Sequence, residues 1–336
     1  MPAEWERQEA VWLAWPHNRE TWPGDALGGV RDCYTEVVRY LSADQTVRLL
    51  VDDRESESAA RSFLGRRGVD LSGVSFLRLP TADTWIRDYG PTFLVDHSAR
   101  GLAMVSWQFN AWGGKYADLL EDNGVPLRLN AHLDLPVFDA GMVLEGGSIE
   151  VNGRGLLLTT EQCLLNPNRN PDLGRGEIEA RLGDFLGVSE VIWLGEGIAG
   201  DDTDGHIDDI ARFVDPDTVV CALEEDPRDD NHARLEDNFV RLRRYRDRSG
   251  RPLRIVPLPM PRPVLDGGVR LPASYANFYI GNGCVVVPVF GDPNDSPALE
   301  VLKGCFPGRR VVGVDCRAMV LGLGAIHCST QQQPAV

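Results

Sequence analysis

Pairs of apolar, β-branched segments, each pair joined by a tight turn, recur along this chain and constrain its fold more than any other feature. Asn-Gly joins the segments within residues 148–159, Asp-Pro-Asp joins those within 211–223, and Gly-Asn-Gly joins those within 276–290. Turn residues of these types between apolar segments predict antiparallel β-hairpins. The sequence therefore predicts several hairpins rather than one continuous parallel sheet.

Segments with helical periodicity separate these hairpins. Val30, Tyr34, Val37 and Leu41 recur three or four positions apart, which predicts a helix over residues 30–42. Further helices are predicted over residues 56–67, 175–187, 229–248 and 295–304.

The resulting unit is a hairpin, a helix and a further strand, and it appears four or five times. TVRLLVDD and VSFLRLP predict further strands, and Asp229 or Asp295 is expected at the N-cap or in the first turn of its helix. Antiparallel hairpins fit a doubly wound parallel sheet poorly. They favour small α/β units that pack around a centre.

The charge of the chain excludes some classes of partner. Subtracting 50 acidic residues from 34 basic residues gives a net charge of −16. Such a surface repels phosphate backbones, so we expect no nucleic acid partner. No apolar run approaches the ~20 residues that cross a bilayer, and the acidic first ten residues lack the basic-then-apolar pattern of a leader. We therefore expect a cytoplasmic protein without a membrane partner.

The seven cysteines include no CxxC pair, which argues against both a disulfide framework and a structural zinc cluster. A functional thiol must therefore be identified by its neighbours. Cys328 follows a glycine-rich stretch in VLGLGAIHCSTQQ. A dinucleotide-binding loop is excluded there, because only 12 residues follow Gly324 and no helix–strand unit can be built from them. Cys328 is the candidate nucleophile, and the alternative is that this thiol has only a structural role.

Two further segments place polar residues beside tight turns. TWIRDYGPTF carries Trp85, Arg87 and Asp88 before a Tyr-Gly-Pro turn, and MVLEGGSIEV carries Glu145 before a Gly-Gly pair that allows close backbone approach. These carboxylates could face a crevice. The alternatives are an Arg87–Asp88 ion pair at a turn and a solvated Glu145 at a β-bulge.

The segment GDDTDGHIDDIARF concentrates carboxylates around His206. A calcium-binding loop is excluded, because its alignment puts Gly200 and Ala211 at two of the ligand positions. Read as a strand, HIDDIARFV places His206 and Asp208 on one face, where the pair could act as a general acid/base and its charged partner. The alternative is an acidic loop that caps a strand. Asn277, between aromatic residues in SYANFYIGNG, is either a pocket residue or an edge asparagine.

A thiol surrounded by carboxylates has a raised pKa, which opposes nucleophilic catalysis unless the substrate itself is a cation. A guanidinium is flat and permanently charged, and it pairs with carboxylates in forked geometry. We therefore hypothesise that Cys328 attacks a guanidinium carbon and that His206 protonates the departing ammonia and then activates water. Asp88, Glu145 and Asp208 are the predicted guanidinium partners, and no metal is required.

These segments, together with others spread over the whole chain, closely resemble the agmatine deiminase family, relatives of the bacterial peptidylarginine deiminases within the guanidine-modifying superfamily. The matching motifs are MPAEWERQEAVWLAWPHN, WIRDYGPTF, FNAWGGKY, LEGGSIEV, LLTTEQCLLNPNRNP, DDTDGHIDD, SYANFYIGNG, VVVPVFGD and IHCSTQQQP. The resemblance implies one catalytic domain over residues 1–336. It also implies an α/β fold, a five-fold pseudosymmetric α/β propeller of ββαβ modules around a central site.

The resemblance also implies roles for individual residues. Cys328 corresponds to the nucleophile that carries the amidino group and His206 to the acid/base, with Asp88, Glu145 and Asp208 as the guanidinium carboxylates. Three further residues correspond to substrate-binding positions: Asp202 meets the far amine of agmatine, Trp85 packs along the substrate and Asn277 lines the pocket. The implied reaction converts agmatine and water to N-carbamoylputrescine and ammonia, a step toward putrescine, without a cofactor. A homo-oligomer is compatible with this assignment.

The sequence departs from the family pattern near the nucleophile. Leu323 and Ala325 stand where the family usually has a glycine and an asparagine, Gly283-Cys284 replaces a frequent Gly-Gly, and Val289 replaces a polar residue. The catalytic set is retained, whereas the exact guanidine is less constrained.

Three alternatives to an agmatine deiminase remain. The first is a deiminase of free or peptidyl arginine, for which the sequence offers no evident cation to bind an α-carboxylate. The second is a non-catalytic binding protein, which the presence of both Cys328 and His206 argues against. The third is a metal hydrolase that uses the DDTDGHIDD cluster.

Overall fold

The structure is a computed structural model that describes residues 1–96, 98 and 100–336. Its helices, in chain order, are α1 (Ala26–Leu41), α2 (Arg54–Arg66), α3 (Ile86–Tyr89), α4 (Ala111–Gly114), α5 (Val125–Leu133), α6 (Glu161–Leu164), α7 (Arg175–Leu186), α8 (Asp230–Arg244) and α9 (Asp295–Cys305). Its strands are β1 (Gln8–Ala14), β2 (Thr46–Val51), β3 (Val74–Arg78), β4 (Thr92–Asp96), β5 (Gly101–Gln108), β6 (Val137–Val143), β7 (Glu150–Val151), β8 (Leu156–Thr160), β9 (Glu190–Leu194), β10 (Ala211–Asp215), β11 (Thr218–Leu223), β12 (Arg254–Pro259), β13 (Leu265–Asp266), β14 (Val269–Arg270), β15 (Tyr279–Ile280), β16 (Cys284–Val289), β17 (Arg310–Asp315) and β18 (Gln331–Pro334).

The strands form several small mixed sheets. Four sheets, β4-β5-β6, β7-β8-β9, β10-β11-β12 and β15-β16-β17, share one pattern, in which an antiparallel hairpin is followed by a parallel third strand. A fifth sheet has the order β18-β1-β2-β3 and pairs the last strand antiparallel to the first. Helices fill the long connections that parallel neighbours require. The predicted hairpin–helix–strand unit is confirmed.

The predicted helices are confirmed, and their apolar faces pack inward. In α1, Val30, Tyr34, Val37 and Leu41 are all buried, because the three-to-four spacing aligns them on one side. The side chain of Asp229 caps α8 by accepting a hydrogen bond from a backbone N–H of its first turn. In the residues that the structure covers, no helix is both long and apolar enough to span a membrane.

The expectation that HIDDIARFV is a strand from its first residue is wrong. Residues Ile207–Asp209 form a 3-10 turn that follows His206, and β10 begins only after it. A strand would direct Asp208 and Asp209 to opposite faces of the sheet. The turn buries both carboxylates and brings Asp208 to the His327 ring, so His206 and Asp208 do not owe their proximity to a shared strand face.

Each polar segment identified in the sequence lies immediately before a strand that stands at the edge of one sheet. The segments around Asp88, Glu145, His206, Asn277 and Cys328 precede β4, β7, β10, β15 and β18, respectively. The repeated unit therefore supplies one functional segment per sheet. This regularity allows residues separated by 241 positions to meet at one site, as the hydrogen bond between the backbone N–H of Arg87 and the carbonyl of Cys328 shows.

Substitution of alanine for glycine is expected to have opposite effects on stability at two positions, Gly65 and Gly73. Gly65 lies within α2 with open space where a Cβ would stand, so Gly65→Ala is expected to raise the free energy of unfolding by about 0.5–1 kcal/mol. A Cβ at Gly73 would overlap the backbone oxygen of Ser42, so Gly73→Ala is expected to lower it by about 1–3 kcal/mol. Urea unfolding of the two variants measures both changes, and equal changes would contradict this packing.

Candidate active site

Asn277 fixes the loop that carries the candidate nucleophile. Its side-chain Oδ1 accepts hydrogen bonds from the backbone N–H groups of His327 (2.9 Å) and Cys328 (3.3 Å). Its Nδ2 lies 3.0 Å from the Cys328 Sγ and 3.0 Å from the Asp209 Oδ1. Because Asn277 is fully buried, these contacts hold the sulfur in one position.

Cys328 lies at a cavity of about 370 Å³. Trp85, Trp112 and Leu323 form apolar parts of its wall, while Asp88 and Asp202 contribute carboxylates. The structure thus brings four predicted residues, Trp85, Asp88, Asp202 and Cys328, to one cavity. Asn277, His206, Asp208 and Glu145 are buried beside these residues and are not part of the cavity wall.

Asp88 is held by two donors that the protein supplies. Its Oδ1 accepts the backbone N–H of Gly147 at 2.9 Å, and its Oδ2 accepts the indole Nε1–H of Trp112 at 2.9 Å. Burial, together with the negative charges of Asp208 and Glu145, nevertheless raises the pKa of Asp88 well above its usual range. The anticipated Arg87–Asp88 ion pair does not form among the described contacts, because Arg87 instead lies 3.2 Å from a carboxylate oxygen of Glu4.

Asp208 is the ionised carboxylate nearest to the sulfur. Its Oδ2 lies 3.7 Å from the Cys328 Sγ and accepts a hydrogen bond of 2.7 Å from the His327 Nδ1. Burial opposes ionisation, but the hydrogen bond and charge of His327 outweigh it and lower the pKa of Asp208. Its Oδ1 is buried without a partner, so one acceptor is free for a ligand.

His206 is buried with neither ring nitrogen hydrogen-bonded. Its Nδ1 lies 3.7 Å from the Asp88 Oδ1. Burial lowers the pKa of His206 to about 3, so the ring is neutral at physiological pH and can accept a proton. A buried imidazole without partners is costly in a folded protein, which indicates that a ligand completes its hydrogen bonds.

Glu145 lies next to His206 and is paired with a residue that sequence reasoning missed. Its Oε1 accepts a hydrogen bond of 2.7 Å from the Nε of Arg169, while its Oε2 is buried without a partner. Arg169 also lies 2.7 Å from the Asp204 Oδ2. Its motif LLNPNRNP was recognised in the sequence without a role, although a single arginine in a proline-bounded polar loop could have suggested an anchoring cation.

Asp202 lies nearer the outside of the cavity, among residues that sequence reasoning also missed. Its carboxylate accepts a hydrogen bond from the Tyr116 hydroxyl, and its backbone carbonyl accepts one from the Lys115 Nζ. The Lys115 Nζ also pairs with the Asp204 Oδ1 at 2.8 Å. Both partners belong to the motif FNAWGGKY, which carried the family resemblance but no assigned role.

The loop that supplies Trp112 has an unusual backbone. Ala111, Trp112, Gly113 and Gly114 all have positive φ, from 53° to 86°. Only glycine adopts this region freely, so Ala111 and Trp112 each cost about 1–2 kcal/mol of strain. Leu323, in the wall of the cavity, also has a left-handed φ of 66°. Two residues with a strained backbone, Trp112 and Leu323, therefore form part of the cavity wall.

One group of side chains has the chemistry of a metal site. Ligand atoms of Glu145, Cys163 and His206 lie within 4.8 Å of one another, and these residue types suit zinc. Arg169 already supplies a positive charge to Glu145 there, which opposes a further cation. The Asp201 carboxylate accepts backbone N–H groups of its own loop, including those of Thr203 and Gly205, so it is committed to loop structure.

The site as a whole is organised to receive a flat cation beside a thiol. Burial raises the pKa of Cys328 well above its usual range, and the charges of Asp208, Asp209 and Asp88 raise it further. A bound cation would offset those charges and favour the thiolate. The arrangement therefore fits nucleophilic attack on a positively charged carbon centre.

Comparison with known proteins gives a consistent result. The family model for Porphyromonas-type peptidyl-arginine deiminases matches residues 1–334. The chain is 40% identical over 335 residues to a protein of Legionella pneumophila called putative agmatine deiminase, covering 99% of this chain and 94% of that protein. It is 39% identical over 361 residues to the agmatine deiminase of Stutzerimonas stutzeri, covering 100% and 95%.

Solved structures show the same similarity. The agmatine deiminase of Enterococcus faecalis superimposes with a TM-score of 0.91 at 35% identity, covering 100% of this chain and 95% of that chain. An agmatine deiminase of C. jejuni with substrate bound gives a TM-score of 0.88 at 33% identity, covering 99% and 95%. A DDAH of Pseudomonas aeruginosa gives 0.53 at 13% identity, covering 97% and 99%, and shares the fold alone.

The raised pKa of Cys328 predicts how this thiol reacts with a neutral alkylating agent. Its alkylation by iodoacetamide should require alkaline pH, and Asp208→Asn should move the midpoint of the rate–pH profile to lower pH, because the nearest negative charge is removed. Each unit by which the pKa falls raises the thiolate fraction about tenfold. Mass spectrometry of the Cys328 peptide measures the rate.

The matched control is Asp118→Asn, which removes a carboxylate elsewhere in the cavity wall. Its profile should coincide with that of the wild type. A midpoint that does not move in Asp208→Asn, or that moves equally in Asp118→Asn, would refute this electrostatic account of the thiol.

Proposed function

Because this chain belongs to the Porphyromonas-type peptidyl-arginine deiminase family, we propose that it is an agmatine deiminase, a hydrolase that acts on a linear amidine C–N bond and converts agmatine to N-carbamoylputrescine and ammonia. One observation carries the proposal. Cys328 and Asp88 in the cavity wall lie beside the buried Asp208 and the neutral His206, whose ring nitrogens have no partner. The described lining residues of this cavity include five acidic side chains and no basic one. An acidic cavity of this kind selects a cationic substrate.

The guanidinium group binds between Asp88 and Asp208 in this proposal. The free Oδ1 of Asp208 and the remaining acceptor capacity of Asp88 receive its N–H groups in forked geometry. The 3.7 Å distance between the Asp208 Oδ2 and the Cys328 Sγ then puts the guanidinium carbon within reach of the sulfur. Trp85 and Leu323 pack beside the methylene chain.

The first half of the reaction breaks the C–N bond. His206 is neutral, because burial lowers its pKa to about 3, and its ring nitrogens have no partner, so it takes up the proton that is released when the bound guanidinium ionises the Cys328 thiol. The sulfur attacks the guanidinium carbon, a C–S bond forms, and His206 passes its proton to the departing nitrogen, which leaves as ammonia. The product of this half is a thiouronium on Cys328. Glu145, which lies beside His206, stabilises the transient imidazolium.

The second half releases the product. His206 accepts a proton from water as the water oxygen attacks the thiouronium carbon. The C–S bond breaks, the thiol recovers a proton, and the ureido product leaves. The remaining proton converts the ammonia to ammonium, so atoms and charge balance.

The cavity favours agmatine over arginine. The carboxylate of Asp202 provides a partner for a terminal amine, and Glu20 and Asp118 add negative charge around it. An α-carboxylate would enter without a counter-ion, because Lys115 is already paired with Asp204. Arginine would therefore suffer both repulsion and desolvation at this end of the cavity.

The same proposal extends to architecture and location. Five of the described sheets each follow one functional segment, and they support a five-fold pseudosymmetric α/β propeller of ββαβ modules around the site, with residues 1–336 as one catalytic domain. The seven cysteines are all free thiols, which supports a reducing, cytoplasmic location.

Removal of the nucleophile tests the covalent route. Cys328→Ser should lower kcat for agmatine by at least about 10³-fold, because serine is a much weaker nucleophile without an ionised oxygen. Wild-type enzyme quenched during turnover should carry an amidino adduct on the Cys328 peptide. The matched control is Cys305→Ser, which changes a half-buried thiol on α9 and should keep both turnover and adduct. Full turnover by Cys328→Ser would sink the proposal.

Recognition of the far amine is tested at Asp202. Asp202→Asn should raise KM for agmatine by about 10- to 100-fold, since a hydrogen bond to a charged group contributes roughly 1.5–3 kcal/mol. KM for n-butylguanidine, which lacks the terminal amine, should stay unchanged and serves as the substrate control. Equal changes for both substrates would contradict this role, and a wild-type preference for arginine in kcat/KM would overturn the choice of substrate.

A further inference from the structure

The residue that precedes the nucleophile is enclosed between two carboxylates. The Nδ1 of His327 lies 2.7 Å from the Asp208 Oδ2, and its Nε2 lies 2.9 Å from the Glu4 Oε2. All three side chains are buried. A carboxylate oxygen can only accept, so both ring nitrogens of His327 must donate if both contacts are hydrogen bonds. The geometry therefore requires a proton on each nitrogen, which makes the ring an imidazolium.

The charges around His327 balance only with that imidazolium. Glu4 also pairs with Arg87 at 3.2 Å and with Arg212 at 2.9 Å, and Arg212 pairs with Glu150 at 2.8 Å. Two arginines and an imidazolium then face three carboxylates, those of Glu4, Glu150 and Asp208. A buried cluster with a net charge is strongly disfavoured, so a balanced set is the stable one.

Glu150 keeps its charge in this cluster for a geometric reason. Burial raises the pKa of Glu150, which would favour its protonated form. However, its Oε2 accepts from the Nε of Arg212 at 2.8 Å, and its Oε1 accepts from the backbone N–H of Phe213 at 3.0 Å. Both oxygens are occupied as acceptors, so neither has room to carry a proton toward a partner.

Asp208 faces further titratable groups on the side of the substrate. His206, Asp88, Asp209 and Cys328 all interact with it through space. Asp88 and Asp209 have raised pKa values, mainly because they are buried, and both are raised further by the charge of Asp208. On its other side Asp208 faces His327, which is in hydrogen-bond contact with it, and Arg212, whose positive charge acts on it through space.

We propose that His327 is a positioning residue that, as an imidazolium held by Glu4, keeps Asp208 ionised and oriented toward the substrate guanidinium. The inference deepens the proposed function and rests on it, because it assumes that Asp208 binds the guanidinium. It adds two residues to the site, His327 and Glu4, which act through Asp208 and do not touch the substrate. Loss of the cation would let the Asp88–Asp208 pair bind a proton more tightly, and a protonated pair binds a guanidinium poorly.

The protonation state of His327 can be observed directly. The full chain labelled with [¹⁵N]histidine contains six histidines, and His327→Asn identifies the resonance of interest. The wild type should show both ring nitrogens protonated, because each faces a carboxylate oxygen. Glu4→Gln keeps the shape of the contact but removes its charge, so the ring should carry one proton only under the same conditions.

The matched control for this measurement is Glu161→Gln, which neutralises a carboxylate that pairs with Arg175 and Arg241 outside this cluster. Its His327 resonance should match that of the wild type. A singly protonated, neutral ring in the wild type would overturn the proposal. Because this measurement needs no turnover, its outcome is separate from whether the chain hydrolyses agmatine.

Kinetics test the role of the imidazolium. His327→Asn should move the acid limb of the kcat/KM–pH profile for agmatine upward by about one pH unit, because an opposite charge within hydrogen-bond distance lowers a carboxyl pKa by roughly 1–3 units. KM below neutral pH should rise at least about tenfold, with a smaller change in kcat. The control Glu161→Gln should leave the limb in place. A limb that stays fixed in His327→Asn, or moves equally in both variants, would show only a structural role and overturn the proposal.

Discussion

Buried negative charge around one sulfur atom is the constraint that shapes this molecule. Asp88, Glu145, Asp208 and Asp209 are all buried near Cys328 or His206, where an unshared charge is strongly disfavoured. The protein treats them differently. Arg169 pairs with Glu145, although burial still raises the pKa of that carboxyl, and His327 pairs with Asp208. Burial also raises the pKa values of Asp88 and Asp209. In the proposed function, a bound guanidinium supplies positive charge to these carboxylates.

The rest of the site holds these charges in place before a substrate arrives. Trp112 and the Gly147 N–H both donate to Asp88, and Asn277 fixes the backbone on both sides of the His327–Cys328 peptide bond. The left-handed run at residues 111–114 is the strained part of this arrangement, and it is the run that directs the Trp112 indole at Asp88. Strain of this kind persists only where surrounding packing compensates it.

The protonation states give the proposed chemistry its order. Because the pKa of the Cys328 thiol is raised and the pKa of His206 is lowered to about 3, both groups are neutral in the resting site. The arrival of a guanidinium favours the thiolate, so the nucleophile is activated by its own substrate. This coupling limits reaction of Cys328 with neutral electrophiles and ties catalysis to cation binding.

The turn residues and helical periodicity predicted the local units correctly, because hairpin turns and amphipathic spacing depend on neighbouring residues alone. The polar segments around Asp88, Glu145, His206, Asn277 and Cys328 were also visible in the sequence, since polar and glycine residues stand out beside apolar strands. The strand assigned to HIDDIARFV was wrong, because Asp208 is drawn into a turn by His327, a residue 119 positions away.

The sequence by itself thus determined the hairpins, the long helices and the chemical inventory of this protein, all of which follow from short-range pattern. Only the tertiary structure decided which charges meet. Arg169 beside Glu145, Tyr116 on Asp202, and His327 between Glu4 and Asp208 are contacts between distant segments. Electrostatic pairing depends on distance in space and on burial, and neither quantity can be read from the order of residues along the chain.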